Sequence, residues 1–305
     1  MAYTFMFPGQ GSQKVGMGAD LYEKYDAAKR RFDQANEALN KNLSSLCFEG
    51  PDEELKATQN TQPALFTVEA ALVDVLREAG LNPAMTMGHS LGEYSALYGA
   101  GVFDFETGLR LVARRGELMS QAGSRNPGSM AAIIGLDRDS IASALARVDN
   151  GVVVLANENS PIQTVISGES QAVRRACEAC KESGAKRAVP LPVSGAFHSP
   201  LMQEAADDFK EAVNSAEFAV PFCPVIANVT AQLEIDPLVL KGLLIKQLLA
   251  PVRWVDSVLR LQENQCGTCL EVGPGNVLQG LVKKTNPELK VVSCATSENV
   301  YSLSQ

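Results

Sequence analysis

The sequence predicts an α/β fold built on a parallel sheet, and three observations predict it. Strand-like and helix-like stretches alternate along most of the chain, the pattern of a sheet with helices packed on its faces. A Gly-x-Ser-x-Gly pentapeptide, Gly88-His89-Ser90-Leu91-Gly92, falls where a short apolar run passes into a helical one. After Gly123 the texture changes to a compact strand and helix order of its own, which ends before Gly195.

The elements follow in order. Tyr3-Thr4-Phe5-Met6-Phe7 is aromatic and apolar, as a first strand would be. It runs into the turn-rich loop Pro8-Gly9-Gln10-Gly11-Ser12. Residues 20–39 form one long helical stretch. Residues 62–79 form another, with Pro63 at its start and Gly80 past its end, the asymmetry expected of helix termini. Ala84-Met85-Thr86-Met87 reads as a short buried strand, and residues 93–99 and 105–122 as helices. The cluster Gly123-Ser124-Arg125-Asn126-Pro127-Gly128 reads as a linker. Beyond it come a strand at 129–134, a helix at 137–148, strands at 151–156 and 164–167, a helix at 171–183 and a strand at 186–193. That β-α-β-β-α-β order is the ferredoxin-like arrangement. Helix 200–213, strand 225–228, helices 237–249 and 252–262, strand 268–272 and a terminal strand 290–293 complete the chain. Two units are therefore expected: a main domain of residues 1–127 and 195–305, and an inserted subdomain of residues 128–194.

The composition narrows the class. The 305 residues suffice for one large domain or two ordinary ones. They are 46% hydrophobic and 20% charged, the balance of a soluble globular protein. A net charge of −8 argues against nucleic acid and anionic membranes as partners. No apolar run approaches the ~18 residues of a bilayer-crossing helix. The N-terminal stretch has no charged leader and no cleavage site, so it reads as a strand and not a signal peptide, and a cytoplasmic protein is expected. Seven cysteines in a long chain do not suggest a disulfide framework. The two Cys-x-x-Cys pairs, Cys177/Cys180 and Cys266/Cys269, lie far beyond zinc-ribbon spacing. Structural thiols and no metal site are expected.

Strand, tight turn and helix are the context that a nucleophile elbow needs. Flanking glycines suit the strained turn at Ser90, and the helix N-terminus behind it offers free N–H groups and a positive dipole end for an oxyanion. A serine nucleophile requires a base, and the chain holds only two histidines. His89 adjoins Ser90 on the elbow, where its side chain should point away. That leaves His198, in Gly195-Ala196-Phe197-His198-Ser199-Pro200. No acid is singled out as a third member. A backbone or side-chain carbonyl could instead orient the imidazole, so dyad and triad both stay open. The oxyanion donors would be the backbone N–H groups of Leu91 and of Gln10, whose flanking glycines permit close approach. A phosphate cradle at that loop is disfavoured, because no Gly-Lys-Ser/Thr follows.

Arg115 is the other telling residue. On helix 105–122, Leu111, Val112, Leu118 and Met119 form one apolar stripe, and Arg115 falls at its centre. Arg114 falls on the polar flank, toward Glu117. A buried arginine is costly by several kcal/mol unless paired. Its fork suits a carboxylate, either a buried Asp or Glu or that of a substrate.

These motifs resemble the malonyl-CoA:acyl-carrier-protein transacylases over nearly the whole chain. The matching stretches are Phe7-Pro8-Gly9-Gln10-Gly11-Ser12-Gln13, Thr61-Gln62-Pro63-Ala64, Gly88-His89-Ser90-Leu91-Gly92-Glu93-Tyr94, Arg114-Arg115-Gly116, Gly195-Ala196-Phe197-His198-Ser199, Gln247-Leu248 with Pro251-Val252-Arg253-Trp254, and Glu271-Val272-Gly273-Pro274-Gly275. The resemblance implies an α/β-hydrolase-like core with an inserted ferredoxin-like subdomain. It implies malonyl transfer from malonyl-CoA to holo acyl carrier protein through a malonyl-serine, without metal or cofactor, in fatty acid synthesis. Ser90 would carry the acyl group, His198 would be its base and Arg115 would bind the malonyl carboxylate. Gln10 and Leu91 would supply oxyanion amides, the Gln247 carbonyl would orient the histidine in a dyad, and Gln62 would line the pocket. Leu91 and Phe197 match the malonyl-selective members. The rival readings are a serine thioesterase, an acyltransferase of a polyketide pathway and a non-catalytic acyl-binding protein.

Overall fold

The computed structural model describes residues 3–193, 195–264 and 267–305. The first strand, β1 (Tyr3–Phe7), is followed by helices α1 (Ala19–Lys24), α2 (Asp26–Leu39), α3 (Leu43–Glu49), α4 (Asp52–Lys56) and α5 (Thr58–Glu78). Strand β2 (Pro83–Gly88) leads through the elbow into α6 (Gly92–Gly99) and then α7 (Phe105–Arg125). Next come β3 (Gly128–Ile134), α8 (Arg138–Leu145), β4 (Val153–Ser160), β5 (Gln163–Glu169), α9 (Ser170–Glu182) and β6 (Arg187–Pro190). A short 3₁₀ turn at Pro200–Met202 precedes α10 (Gln203–Ser215), β7 (Val225–Ile226), β8 (Leu233–Glu234), α11 (Pro237–Lys246), α12 (Trp254–Glu263), β9 (Thr268–Val272), α13 (Val277–Thr285), β10 (Val291–Cys294) and α14 (Ser297–Leu303).

The larger sheet has the order β10-β9-β1-β2-β7-β8. Every pair in it is parallel except β7 with β8. Its central strands are buried runs such as Phe5-Met6-Phe7, as a sheet covered on both faces requires. The smaller sheet, β4-β5-β3-β6, is antiparallel throughout. Its α8 and α9 pack over Ala131, Ile133 and Ile166 through Ile141, Val173 and Cys180. This is the strand order of a β-α-β-β-α-β unit with its first and third strands at the centre, as expected. The small sheet is also stitched to the chain before α12: Glu158 N–H donates to Val252 O at 2.9 Å, and Val252 N–H to Ala156 O at 2.9 Å.

Several elements differ from the sequence expectation for identifiable reasons. The stretch 20–39 is two helices, broken at Tyr25 with φ −128° and ψ 121°. The break lets the Tyr25 hydroxyl reach Ser297 O at 3.3 Å and Lys24 Nζ reach Ser297 Oγ at 2.9 Å, anchoring α14. Helix α5 starts at Thr58, so Pro63 lies inside it and has no N–H to give to Gln59 O. The expected linker is half helical, because α7 continues to Arg125. Gly123 serves close packing there, since a Cβ on Gly195 would sit 3.2 Å from its Cα. Helices α3, α4, α13 and α14 were not anticipated. Among the described residues no helix is long and apolar enough to cross a membrane, and no group of three or more His, Cys, Asp or Glu is arranged to hold a metal. Cys177 and Cys180 face inward from α9; the second pair includes Cys266, which lies outside the described residues.

Candidate active site

The elbow between β2 and α6 is shaped by steric necessity. A Cβ on Gly88 would meet the Gly92 carbonyl at 2.0 Å, and one on Gly92 would meet Phe7 O at 2.0 Å. One on Gly9 would meet His89 O at 2.4 Å. The turn and the β1 loop thus touch backbone to backbone, which only glycine permits. Ser90 sits at the apex with φ 53°. Asn228, just past β7, clamps the turn. Its Oδ1 accepts from Ser90 N–H at 2.8 Å, and its Nδ2 donates to Gly88 O at 2.6 Å.

Ser90 Oγ lies 2.8 Å from His198 Nε2. His198 Nδ1 faces two carbonyls, Gln247 O at 2.9 Å and Ala250 O at 3.0 Å. A carbonyl only accepts, so Nδ1 carries the proton and Nε2 is the acceptor for the serine hydroxyl. The carbonyls hold the ring where a triad would place a carboxylate. His198 is 4% exposed. Burial, followed by the positive charge of Arg115, pushes its pKa down to about 3. The imidazole is therefore a neutral acceptor at neutral pH.

Arg115 is 1% exposed on α7. Its Nη1 donates to Gln62 Oε1 at 2.9 Å, and its Nη2 donates to Gln247 Oε1 at 2.9 Å and to Ser90 Oγ at 3.0 Å. The guanidinium lies over the Tyr94 ring, 5.4 Å from its centroid. Every hydrogen-bond partner of the fork is a neutral side chain, and among the described residues Nε finds no partner. The acid in its field, Glu93, bonds to Gln247 and not to Arg115. A structural ion pair is thus not what placed this arginine in the core. Arg114 by contrast pairs with Glu117 at 2.9 Å on the surface, as its helical position indicated.

A cavity of about 110 Å³ opens onto these groups, lined among others by Gln10, Ser90, Leu91, Met119, Phe197 and His198. It is well below the roughly 300–1,000 Å³ of a drug-sized pocket, a size for a short acyl group. Gln62 and Gln247 do not line it; they stand behind Arg115. Gln10 is steadied by its Nε2, which donates to Thr58 Oγ1 at 3.1 Å. His89 turns from Ser90, bonding Asn159 Oδ1 through Nε2 at 2.8 Å, with its ring 5.5 Å from that of Trp254. Sequence reasoning missed Asn228 and Glu93. For Glu93 a signal existed: an acid directly before the uncharged, mostly apolar run Tyr94-Ser95-Ala96-Leu97. Burial raises its pKa to about 7.

The acyl transferase domain family matches residues 4–300. The malonyl CoA-acyl carrier protein transacylase of Bacillus subtilis is 47% identical over 97% of this chain and 94% of its own length. The crystal structure of an acyl carrier protein S-malonyltransferase from Vibrio cholerae superposes with a TM-score of 0.96 at 45% identity, over 99% of this chain and 100% of that one. A malonyl-transacylase solved in complex with its type II polyketide acyl-carrier protein superposes with a TM-score of 0.96 at 42% identity, over 99% of this chain and 98% of that one.

Proposed function

The chain belongs to the acyl transferase domain family, and from that premise we propose that it moves a malonyl group from malonyl-CoA to the phosphopantetheine thiol of acyl carrier protein, supplying fatty acid synthesis. The observation that carries the malonyl assignment is Arg115. Its Nη2 stands 3.0 Å from Ser90 Oγ with no acid as its partner. A guanidinium spaced so from the nucleophile suits an acyl group that ends in a carboxylate.

The reaction runs in two halves. Ser90 Oγ attacks the thioester carbonyl while His198 Nε2 takes its proton. The backbone N–H groups of Gln10 and Leu91 receive the oxyanion. The intermediate collapses, the C–S bond breaks, and His198 returns the proton to the departing CoA sulfur. The malonyl ester then rests on Ser90. In the second half His198 deprotonates the carrier thiol, the sulfur attacks the ester carbonyl, and the proton passes to Ser90 as the C–O bond breaks. Gln247 and Ala250 carbonyls stabilise the Nδ1–H of the imidazole throughout. Leu91 and Phe197 shape the walls around the acyl chain. Residues 128–194 fit an inserted subdomain that closes the acyl site, since Met130, Leu191 and Val193 line the same cavity. The expected compartment is the cytoplasm, in keeping with the buried, unbridged Cys47, Cys177, Cys180, Cys223 and Cys294.

Brief exposure to malonyl-CoA should leave one malonyl adduct, mapped by mass spectrometry to the peptide containing Ser90. Ser90→Ala should carry none and lose on the order of 10³-fold or more in turnover. An adduct elsewhere, or transfer undiminished in the alanine variant, would refute the mechanism. CoA release that proceeds equally fast without carrier protein would identify a thioesterase. Service to a polyketide pathway is a second reading, favoured by the likeness to a transacylase bound to a polyketide carrier protein; comparing transfer rates to carrier proteins of the two pathways separates them.

A further inference from the structure

The guanidinium of Arg115 is held by a chain of side chains that ends on Glu93. Arg115 Nη2 donates to Gln247 Oε1 at 2.9 Å. An amide has an oxygen on one arm and a nitrogen on the other, so something must decide which arm faces the arginine. Gln247 Nε2 donates to Ser90 O at 2.9 Å and to Glu93 Oε2. Both amide hydrogens are thereby taken by acceptors, and only the oxygen is left for Arg115. Glu93 Oε1 meanwhile accepts from Asn228 N–H at 3.1 Å, which fixes the carboxylate itself. Glu93 and Gln247 are both buried, so no water can substitute freely for a lost partner. Were the amide turned over, its NH₂ would face a guanidinium that has only donors.

We propose that Glu93 and the Gln247 side chain form a positioning pair for Arg115, holding its fork beside Ser90 and so setting the preference for acyl groups that carry a carboxylate. This rests on the malonyl-transfer reading above. Gln247 then serves two residues through separate groups: its main-chain carbonyl accepts from His198, and its side chain orients Arg115. Side-chain substitutions leave the carbonyl in place, so recognition should suffer more than base catalysis.

The test is the rate of Ser90 acylation by malonyl-CoA and by acetyl-CoA across a range of concentrations, followed by intact mass. Gln247→Ala should lower the malonyl-to-acetyl ratio of kcat/KM by roughly 10- to 100-fold, the scale of a lost hydrogen bond to a charged group. The loss should appear mainly in the malonyl-CoA KM. Gln247→Glu should lower the ratio further, because its carboxylate would occupy Arg115 in place of the substrate's. Gln247→Met keeps the side-chain length without the amide and carries the test if the alanine variant does not fold. Glu93→Gln decides between two physical accounts. Loss of amide orientation lowers the malonyl preference, whereas simple removal of a negative charge from an anion site raises it. A raised preference in Glu93→Gln, or equal losses for both thioesters in the Gln247 variants, would overturn the proposal. Wild-type protein that shows no malonyl preference would instead overturn the functional reading on which it rests.

Discussion

Ser90 and His198 both occupy left-handed backbone, at φ 53° and 58°, and their side chains meet at 2.8 Å. Non-glycine residues held in this region cost of order 1–3 kcal/mol each. The strain is sustained from outside: Asn228 holds the Ser90 N–H, and two carbonyls hold the His198 ring. The hydroxyl and the imidazole are therefore already set against each other in the protein itself.

His198→Ala should slow acylation of Ser90 and transfer to carrier protein alike, each by roughly 10²- to 10⁴-fold, since one base serves both. Rapid-quench measurement of the two half-reactions checks this. Carrier transfer that stays near wild type would show the base to be another group. His89→Ala should act instead on folding and on the elbow, because His89 bonds Asn159 and packs on Trp254.

With only two histidines in the chain, the ionisation of His198 can be read directly by NMR of the ring nuclei. Burial first, then Arg115, then His89 depress its pKa to about 3, and burial also lowers that of His89. Protonation is thus confined to acid well below the usual ~6.5. His198 should not titrate between pH 8 and 5 and should stay neutral at pH 5. Arg115→Ala removes a positive neighbour and should move the His198 midpoint upward. A His198 midpoint near 6.5 in the native protein would refute the neutral-base assignment.

The candidate site residues were legible for reasons of scarcity and place. Ser90 sits between two glycines at a strand-helix junction, His198 is one of two histidines, and Arg115 interrupts an apolar stripe. Their supports were not legible, because those are set by contacts distant in sequence. Asn228 bonds Ser90 across 138 positions and Glu93 across 135. The order of strands in the small sheet followed from local patterning, whereas the break at Tyr25 depends on Ser297, 272 positions away. Local periodicity reports what a segment prefers; it does not report what a remote segment asks of it.

Glu69 makes stability depend on pH. It is buried on α5, takes a hydrogen bond from the Ser95 hydroxyl on one oxygen and, among the described residues, leaves Oε1 without a partner. Burial, with Glu271 nearby, holds its pKa well above the ordinary value. The native state then keeps a proton that the unfolded chain releases above about pH 4.3. Stability from this group is present below that pH and is lost as pH rises toward the raised native pKa. Glu69→Gln removes the penalty, so the Tm of the variant relative to wild type should be higher at pH 8 than at pH 5. A difference in Tm that is the same at both pH values would show that Glu69 is ionised in the fold.

Arg115 is the residue on which substrate choice is expected to turn. Among the described residues its fork hydrogen-bonds only neutral side chains, so the proposed function assigns its charge partner to the acyl group. Removing one member of a desolvated charge pair costs about 2–5 kcal/mol. At 1.4 kcal/mol per decade, Arg115→Ala should lower kcat/KM for malonyl-CoA by roughly 30- to 4,000-fold. Acetyl-CoA has no carboxylate to strand and escapes that penalty, so the ratio of acetyl to malonyl transfer should rise. A purely structural arginine predicts otherwise: lower thermal stability and equal losses for both thioesters. Its polar contacts are to Gln62, Gln247 and Ser90, all at the site, which is why the selective loss is expected. Kinetics of the folded variant on both substrates separate the two accounts, and parallel losses would remove Arg115 from carboxylate recognition.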